Sequence, residues 1–477
     1  MTVEGEARPA GRQRLHTLLV FAVALLARAA VVAWAWGEIP PIADGTYYDI
    51  LGRRIAEGSG YTWLWPDGVV TFAAHYPVGY PALVALSYLV FGPDPSSAMI
   101  ANALVGALGA GALHRALLGA TSPRAALALA LLGFALHPAL LSYTPALMTE
   151  GVSASFVAAA LAATRALGAG SRRARWLGVL CLGVVVGLGA LVRPQLLVLA
   201  PALAAVAAWA RERSPVPEAP RVRRWGKVVV VAALALLAAL AVIAPWTARN
   251  CDKMGRCALV SLNGGWNLLI GTNPRAGGTW APVEVPAACT EVFDEAEKDA
   301  CLGREGVSAI RRDPATWLAL APKKLAATFN HVGAGPWYLH DANPARFSER
   351  ARTAAALLEE LAQRLLYAAA LGAIVLGLTR ARLSSPRGRW GAVGAAALVG
   401  LAAPGWITVL VASALALLGG FSARERGAPL LAAGVVLGAT AATHVVFFGA
   451  GRYSLVIIPA LVLATATARG PWARQGF

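Results

Sequence analysis

The sequence predicts an all-α polytopic membrane protein, and three observations carry that prediction. Apolar residues make up 57% of the 477 and charged residues only 14%, far from the balance of a soluble domain. Apolar runs of roughly 17 to 25 residues recur, rich in Ala, Leu, Val and Gly, each long enough to cross a bilayer as a helix. Arginines gather in the short gaps between the runs, so the net charge of +17 reads as a set of topology determinants and not as a nucleic-acid footprint.

The first span covers 15–36. Arg8, Arg12 and Arg14 precede it and hold the N-terminus in the cytoplasm. No small-residue cleavage pattern follows, so it reads as a retained span and not a signal peptide. Further spans are expected at about 97–118, 124–141, 147–168, 174–192, 194–210, 226–246, 356–379, 389–404, 405–421, 428–448 and 452–468. That makes about twelve, with both termini cytoplasmic. The apolar stretch 78–92 is left out of the count, because including it would invert every later arginine cluster. It is short, and Pro77 and Pro81 open it, which predicts an interfacial helix on the outer leaflet. Segment 45–57 predicts a second one, N-capped by Asp44, with Tyr48, Leu51 and Ile55 on one face and Gly58 at its end.

Three regions follow: an N-terminal transmembrane module, 1–246, carrying the first outer loop at 37–96; a long outer loop, 247–355; and C-terminal transmembrane helices, 356–477. Four of the five cysteines, Cys251, Cys257, Cys289 and Cys301, fall in the long loop. An even number there implies an oxidising compartment and disulfides, 251–257 and 289–301 being the simplest pairing. Zinc is disfavoured because neither pair has two-residue spacing and no histidine is near in sequence. Cys181 lies in a span and reads as a packing residue. Within the loop, 263–274 is turn-rich. Asp313-Pro314 opens an amphipathic helix to about Asn330, with Trp317, Leu320 and Leu325 available to the membrane.

Polar residues near span ends converge on the outer side. Asp44 and His75 flank the surface helices, and His137 ends the third span. Glu150 lies just inside the fourth, Arg193 turns between the fifth and sixth, Arg249 follows the seventh, and Arg452-Tyr453 opens the last. Arginines at short outer turns oppose the positive-inside bias, and a phosphate held by bidentate guanidinium bonds gives them a reason to be there. Two acids, several arginines and an outer groove suggest chemistry at a lipid phosphate: cations stabilise a departing phosphate while a carboxylate takes the proton of an acceptor hydroxyl. Asp44 is the candidate catalytic acid and Glu150 a second. Arg193, Arg249, Arg452 and Tyr453 are candidates for the donor phosphate, and Tyr48, His75, His137, Asn263 and Asn267 for substrate. Lys323-Lys324 is a further phosphate candidate and Asp49 the fallback acid. Bland readings stand beside these: Asp44 as a cap, Asp49 solvated or paired with Arg53, Glu150 as a hydrogen-bonded structural acid, Arg249 as an interface anchor, and Lys323-Lys324 as a solvated or headgroup-facing pair. Gly106–Gly111, inside a span, serves packing and not nucleotide binding.

With these motifs in view the chain resembles integral-membrane glycosyltransferases of the GT-C fold, in the group that contains the protein O-mannosyltransferases and the lipid A aminoarabinose transferase. The resemblance rests on Asp44 with Tyr48 followed by Gly58–Gly60, His75-Tyr76-Pro77-Val78-Gly79-Tyr80-Pro81, His137-Pro138, Thr149-Glu150, Leu191-Val192-Arg193-Pro194, Pro245-Trp246 with Arg249-Asn250, the 263–274 stretch and Arg452-Tyr453. It implies an inverting monosaccharide transfer from a polyprenyl-phosphate donor, with the first-loop acid as base and a lipid, glycan or protein acceptor. It also implies a bacterial inner membrane, with the site on its extracytoplasmic face. No cofactor is expected, a divalent metal is not favoured, and nucleic acid is not a partner. One departure stands out: where the protein mannosyltransferases carry an Asp-Glu pair, Asp44 is followed by Gly45. The alternatives are a polysaccharide or O-antigen ligase using a diphosphate-linked glycan, and a lipid transporter or flippase. The transporter would favour charged or broken mid-membrane helices and repeat symmetry, neither of which is read in the sequence.

Overall fold

The computed structural model describes residues 8–168, 172–212, 221–380, 383–422 and 427–468. Helix α1 (Arg8–Ala35) leads into a short surface helix, α2 (Asp44–Ala56), a hairpin of strands β1 (Thr62–Leu64) and β2 (Val70–Phe72), and a second surface helix, α3 (Gly79–Phe91). Helix α4 (Pro95–Leu117) then returns along α1. The Asp94 carboxylate caps it, accepting from Ser96 N at 2.8 Å. Both surface helices lie where 45–57 and 78–92 were expected. Each end of α3 stays at the same end of the bundle: Gly79 packs on the backbone of Leu191 and Val192, and Gly37 N, just past α1, donates to Ser96 Oγ.

The expected span 124–141 is interrupted. Helix α5 (Pro123–Ala130) loosens into a π turn, Leu131–Ala135, and restarts only as the short α6 (Pro138–Ser142). Pro138 has no N–H and its ring collides with the carbonyl four residues back, so the helix cannot run through it. Arg28, buried within α1, meets one of the carbonyls this exposes, donating from Nη1 to Ala135 O at 2.9 Å.

Helices α7 (Glu150–Gly168), α8 (Arg172–Val192) and α9 (Leu199–Glu212) follow, with a 3-10 turn, Pro194–Val198, leading into α9. Helix α10 (Arg221–Lys253) contains Pro245 and runs about two turns beyond the expected end at 246, so Arg249 and Cys251 are helical. The long loop folds as α11 (Gly264–Thr272), α12 (Ala287–Thr290), α13 (Glu295–Arg312), α14 (Pro314–Ala319), α15 (Ala321–Phe329) and α16 (Ala334–Ala342). The single helix expected over 313–330 is thus two, parted at Leu320 just ahead of Pro322. The chain ends in α17 (Glu349–Thr379), α18 (Pro386–Ala402), α19 (Gly405–Ser422), α20 (Gly427–Val446), a 3-10 turn, Gly451–Ile457, and α21 (Ile458–Ala466).

Eight segments among the described residues are long and apolar enough to cross a membrane: α1, α4, α7, α8, the 194–211 segment, α10, α17 and α20. The other four expected spans, at 124–141, 389–404, 405–421 and 452–468, fall on shorter helices. The disulfides are Cys251–Cys257 and Cys289–Cys301. Cys181 is exposed on the side of α8 and does not pack inside the bundle, a position that suits a small apolar thiol facing lipid.

The hairpin is held from two sides. Arg249, on α10, donates to the carbonyls of Ala73 and Tyr61, both at 2.8 Å, with its guanidinium over the Trp246 ring. Glu295, the first residue of α13, accepts from Trp63 Nε1 at 3.0 Å and from Ala74 N at 2.6 Å. Burial raises the Glu295 carboxyl above its ordinary value. Glu295→Ala would leave both donors unsatisfied, at a cost of about 1–3 kcal/mol. Limited proteolysis of the purified protein should then cut faster at the 66–68 turn while the disulfide-bonded loop stays intact.

Candidate active site

Asp44 opens α2 but does not cap it. The cap position is Ala43, at φ 50° and ψ −132°, and no side chain bonds the helix start there. Among the described residues Ala43 is the one non-glycine with positive φ, a strained conformation that turns the chain sharply before the helix. The turn is pinned by Tyr338 of α16, whose hydroxyl accepts from Ile42 N at 3.2 Å and Leu147 N at 3.3 Å. A Cβ on Gly45 would lie 2.8 Å from that hydroxyl and 3.0 Å from Leu147 O. A side chain at residue 45 would therefore have to displace the Tyr338 hydroxyl and crowd Leu147.

Freed from capping, the Asp44 carboxylate meets Arg452 Nη2 at 2.8 Å and the Tyr76 hydroxyl at 3.4 Å, and stays about one-third exposed (33%). Glu150, the first residue of α7, is nearly fully enclosed (3%). Its Oε1 accepts from Arg193 Nη1 at 2.7 Å and lies 3.3 Å from Arg452 Nε, while Oε2 accepts from the Tyr143 hydroxyl at 2.8 Å. The four charges form one chain, Asp44–Arg452–Glu150–Arg193, which sums to zero.

Each arginine is placed by local backbone rules. Pro194 ends α8 and leaves Arg193 extended at the boundary. Arg193 also reaches Thr149 Oγ1 at 3.2 Å and, with the Gln195 amide turned so that its oxygen faces inward, that oxygen at 2.8 and 3.1 Å. Arg452 sits on the 3-10 turn before α21. Tyr453 lies under both cations, its ring centre 4.7 Å from Arg193 and 5.3 Å from Arg452, and stacks on His444 at 4.6 Å. Lys324 steadies the preceding loop. It is not solvated but fully buried, and Nζ donates to the carbonyls of Val445 and Val446 at the end of α20. Burial lowers its amine to about 8.

The other expected residues distribute unevenly. Tyr48 is buried edge-on to Tyr76 and Tyr80, and burial beside Asp44 holds its phenol well above the ordinary range. His75 packs on Tyr76 at 4.9 Å, with burial lowering it to about 4, so it is neutral at physiological pH. His137 sits at the break between the π turn and α6, not at a span end, and neither ring nitrogen has a hydrogen bond. Asn263 accepts from Ser261 Oγ at 3.0 Å ahead of α11, and Asn267 lies within that helix. No hydrogen bond or ion pair joins Asn263, Asn267 or Arg249 to the charged chain among the described residues. Asp49 pairs with Arg53 at 3.0 Å and takes the Tyr88 hydroxyl. Thr149, beside Glu150 in its motif, and Lys324, weighed in the sequence as a phosphate ligand, serve the site, as do Tyr143, Gln195 and Tyr338, which the sequence does not single out. Of these last three, only the Tyr143 hydroxyl, seven residues before Glu150, carries a usable signal. The described residues contain no group of three or more His, Cys, Asp or Glu able to hold a metal ion.

Residues 75–248 match the family model described as dolichyl-phosphate-mannose-protein mannosyltransferase, which bears out the resemblance read from the motifs. Glu150 and Arg193 fall inside the match; Asp44 and Arg452 fall outside it. Comparison with curated proteins finds no match. Among solved structures the chain is similar to the oligosaccharyltransferase AglB of Archaeoglobus fulgidus in complex with an inhibitory peptide and a dolichol-phosphate. The identity is 14%, the coverage 95% of this chain and 50% of that one, and the TM-score 0.46. It is also similar to ArnT of Cupriavidus metallidurans bound to undecaprenyl phosphate, with 16% identity, 94% and 76% coverage and a TM-score of 0.43. The chain thus spans about half the length of the oligosaccharyltransferase it matches.

Enclosure separates the two acids. Removing Glu150 would leave the largely buried Arg193 with no acid partner and Arg452 with Asp44 alone, a loss of about 3–5 kcal/mol, whereas Asp44 keeps contact with water. Glu150→Ala should therefore lower the midpoint of thermal unfolding in detergent by several degrees, and Asp44→Asn should leave it nearly unchanged.

Proposed function

We propose that the chain is a membrane glycosyltransferase of the GT-C type that moves a monosaccharide from a polyprenyl-phosphate donor to an acceptor hydroxyl at the extracytoplasmic face. The observation that carries this reading is the neutral chain Asp44–Arg452–Glu150–Arg193 beside the surface helices. The family match over residues 75–248 supports the donor class.

Chemically, the acceptor oxygen forms a bond to the anomeric carbon as the bond from that carbon to the phosphate oxygen breaks. The phosphate leaves with the electron pair, and the acceptor proton passes to a carboxylate. Asp44 suits the base because it is the exposed acid of the two, and attack opposite the leaving phosphate inverts the anomeric centre. Glu150 is a positioning residue: fully occupied by Arg193, Arg452 and Tyr143, it aims both guanidinium groups. Arg452 and Arg193 would take the donor phosphate, where charge grows as the bond breaks. A phosphate that takes over Arg452 Nη2 also frees Asp44 from its ion pair, so donor binding itself would ready the base.

Membranes holding the protein should transfer label from one or more polyprenyl-phosphate sugars to an acceptor. Asp44→Asn should reduce the rate at least about a hundredfold, the usual scale of general-base catalysis, while the protein still inserts and folds. Transfer at the wild-type rate by Asp44→Asn would place the base elsewhere, and transfer only from diphosphate-linked glycans would favour a ligase.

A further inference from the structure

The long loop carries a second feature that the charged chain does not use. Helices α11 and α13 approach very closely: a Cβ on Gly265 would lie 1.8 Å from Asp299 O, and Gly303 faces Gly265 across the contact. Beside this contact lies an open cleft of about 780 Å3, lined by Leu268, Val307, Arg304, Arg311 and Arg312 among others. A second hollow of about 500 Å3, carrying Arg256, adjoins it at Gly264.

The charge of the cleft is one-sided. Arg304, Arg311 and Arg312 are all exposed on α13, at positions i, i+7 and i+8, which share one helix face. Among the described residues no carboxylate lies within ion-pair distance of any of them, and Arg312 donates only to Ser308 Oγ, at 3.1 Å. Asp299 is the one acid lining either hollow, and it is spent on Gly265 N and Trp266 N. In the proposed topology this arginine cluster lies on the side that the positive-inside bias leaves poor in arginine.

The cleft is coupled to the candidate active site through α11. Gly264 lies at its N-terminal end in the cleft, and Ile270 near the other end packs with Phe448 and Tyr453. At about 1.5 Å per residue those two positions are about 10 Å apart, a span of roughly two sugar units. Unpaired guanidinium groups bind carboxylate and phosphate in bidentate fashion, while Leu268 and Val307 offer an apolar floor for the C–H faces of sugar rings.

We propose that this cleft is the acceptor subsite and that it selects an extended anionic glycan, one bearing carboxylate or phosphate groups along its length. The proposal rests on the glycosyltransferase reading, whose acceptor class it names.

The test uses the full chain in nanodiscs of neutral phosphatidylcholine, with anisotropy of a fluorescein-labelled oligogalacturonate and of a neutral maltooligosaccharide of equal length. The oligogalacturonate should bind, more weakly as salt rises, and the neutral chain should not. Arg304→Gln with Arg311→Gln, two exposed changes, should weaken oligogalacturonate binding by about tenfold or more, the scale of one to two charge-assisted contacts. Asp44→Asn should leave that binding unchanged. Equal affinity for the two oligosaccharides, or no loss in the double variant, would overturn the proposal. So would a double variant whose one defect is weaker attachment to vesicles of anionic phosphatidylglycerol, which would make the cleft a headgroup contact. If charge-selective binding holds but no polyprenyl-phosphate sugar is transferred, the enzymatic reading fails and the anion site stands. If transfer occurs without anion selectivity, the cleft alone fails.

Discussion

The arrangement depends on one shared cation. Arg452 touches both acids, Asp44 through Nη2 at 2.8 Å and Glu150 through Nε at 3.3 Å. Charges at the edge of an apolar bundle are tolerable only when compensated, so the placement of Arg452 governs the rest. The 3-10 turn that carries it is steadied by Lys324 on the carbonyls ahead and by Tyr453 stacked on His444. On the opposite side, the strained Ala43 and the crowded Gly45 aim Asp44 back at it. The two acids thus differ by environment and not by type: one is enclosed by two donors and a second guanidinium, the other is left with a single ion pair and open to solvent.

Much of this was legible in the sequence, for a physical reason. A charged residue at a short turn between apolar runs has few acceptable partners, so Asp44, Glu150, Arg193 and Arg452 were conspicuous before any contact was known. The surface helix 78–92 was legible because charge parity forbade a crossing, and α3 does keep both its ends on one side. Which arginines share a partner was not legible. Arg249 looked equivalent to Arg193, yet its guanidinium is spent on the Ala73 and Tyr61 carbonyls, and pairings across 176 and 188 residues leave no local signature. The hairpin escaped because strands of three residues are too short for alternation to register. The span at 124–141 looks continuous in sequence because its composition stays apolar through the break that Pro138 imposes. Asp44 was read as a cap on residue type alone, and tertiary charge overrode that preference.

The long loop acts as more than a cover. Its helix α13 reaches the first loop through Glu295, its helix α11 reaches Tyr453 through Ile270, and α16 reaches the start of α2 through Tyr338. Three separate contacts therefore tie one loop subdomain to the elements that carry Asp44 and Arg452. Two disulfides keep that subdomain's short segments closed, which suits a structure with few apolar residues of its own to bury.

In the proposed reaction Arg452 is contested between Asp44 and a donor phosphate. The affinity of undecaprenyl phosphate for the purified wild type, Asp44→Asn and Arg452→Gln, measured in the same detergent, addresses it directly. Removing the competing carboxylate charge should make Asp44→Asn bind the lipid phosphate more tightly than the wild type even as its transfer rate falls, and Arg452→Gln should bind it more weakly than either. Weaker or unchanged binding by Asp44→Asn would mean that the carboxylate and the phosphate are not rivals for the same guanidinium.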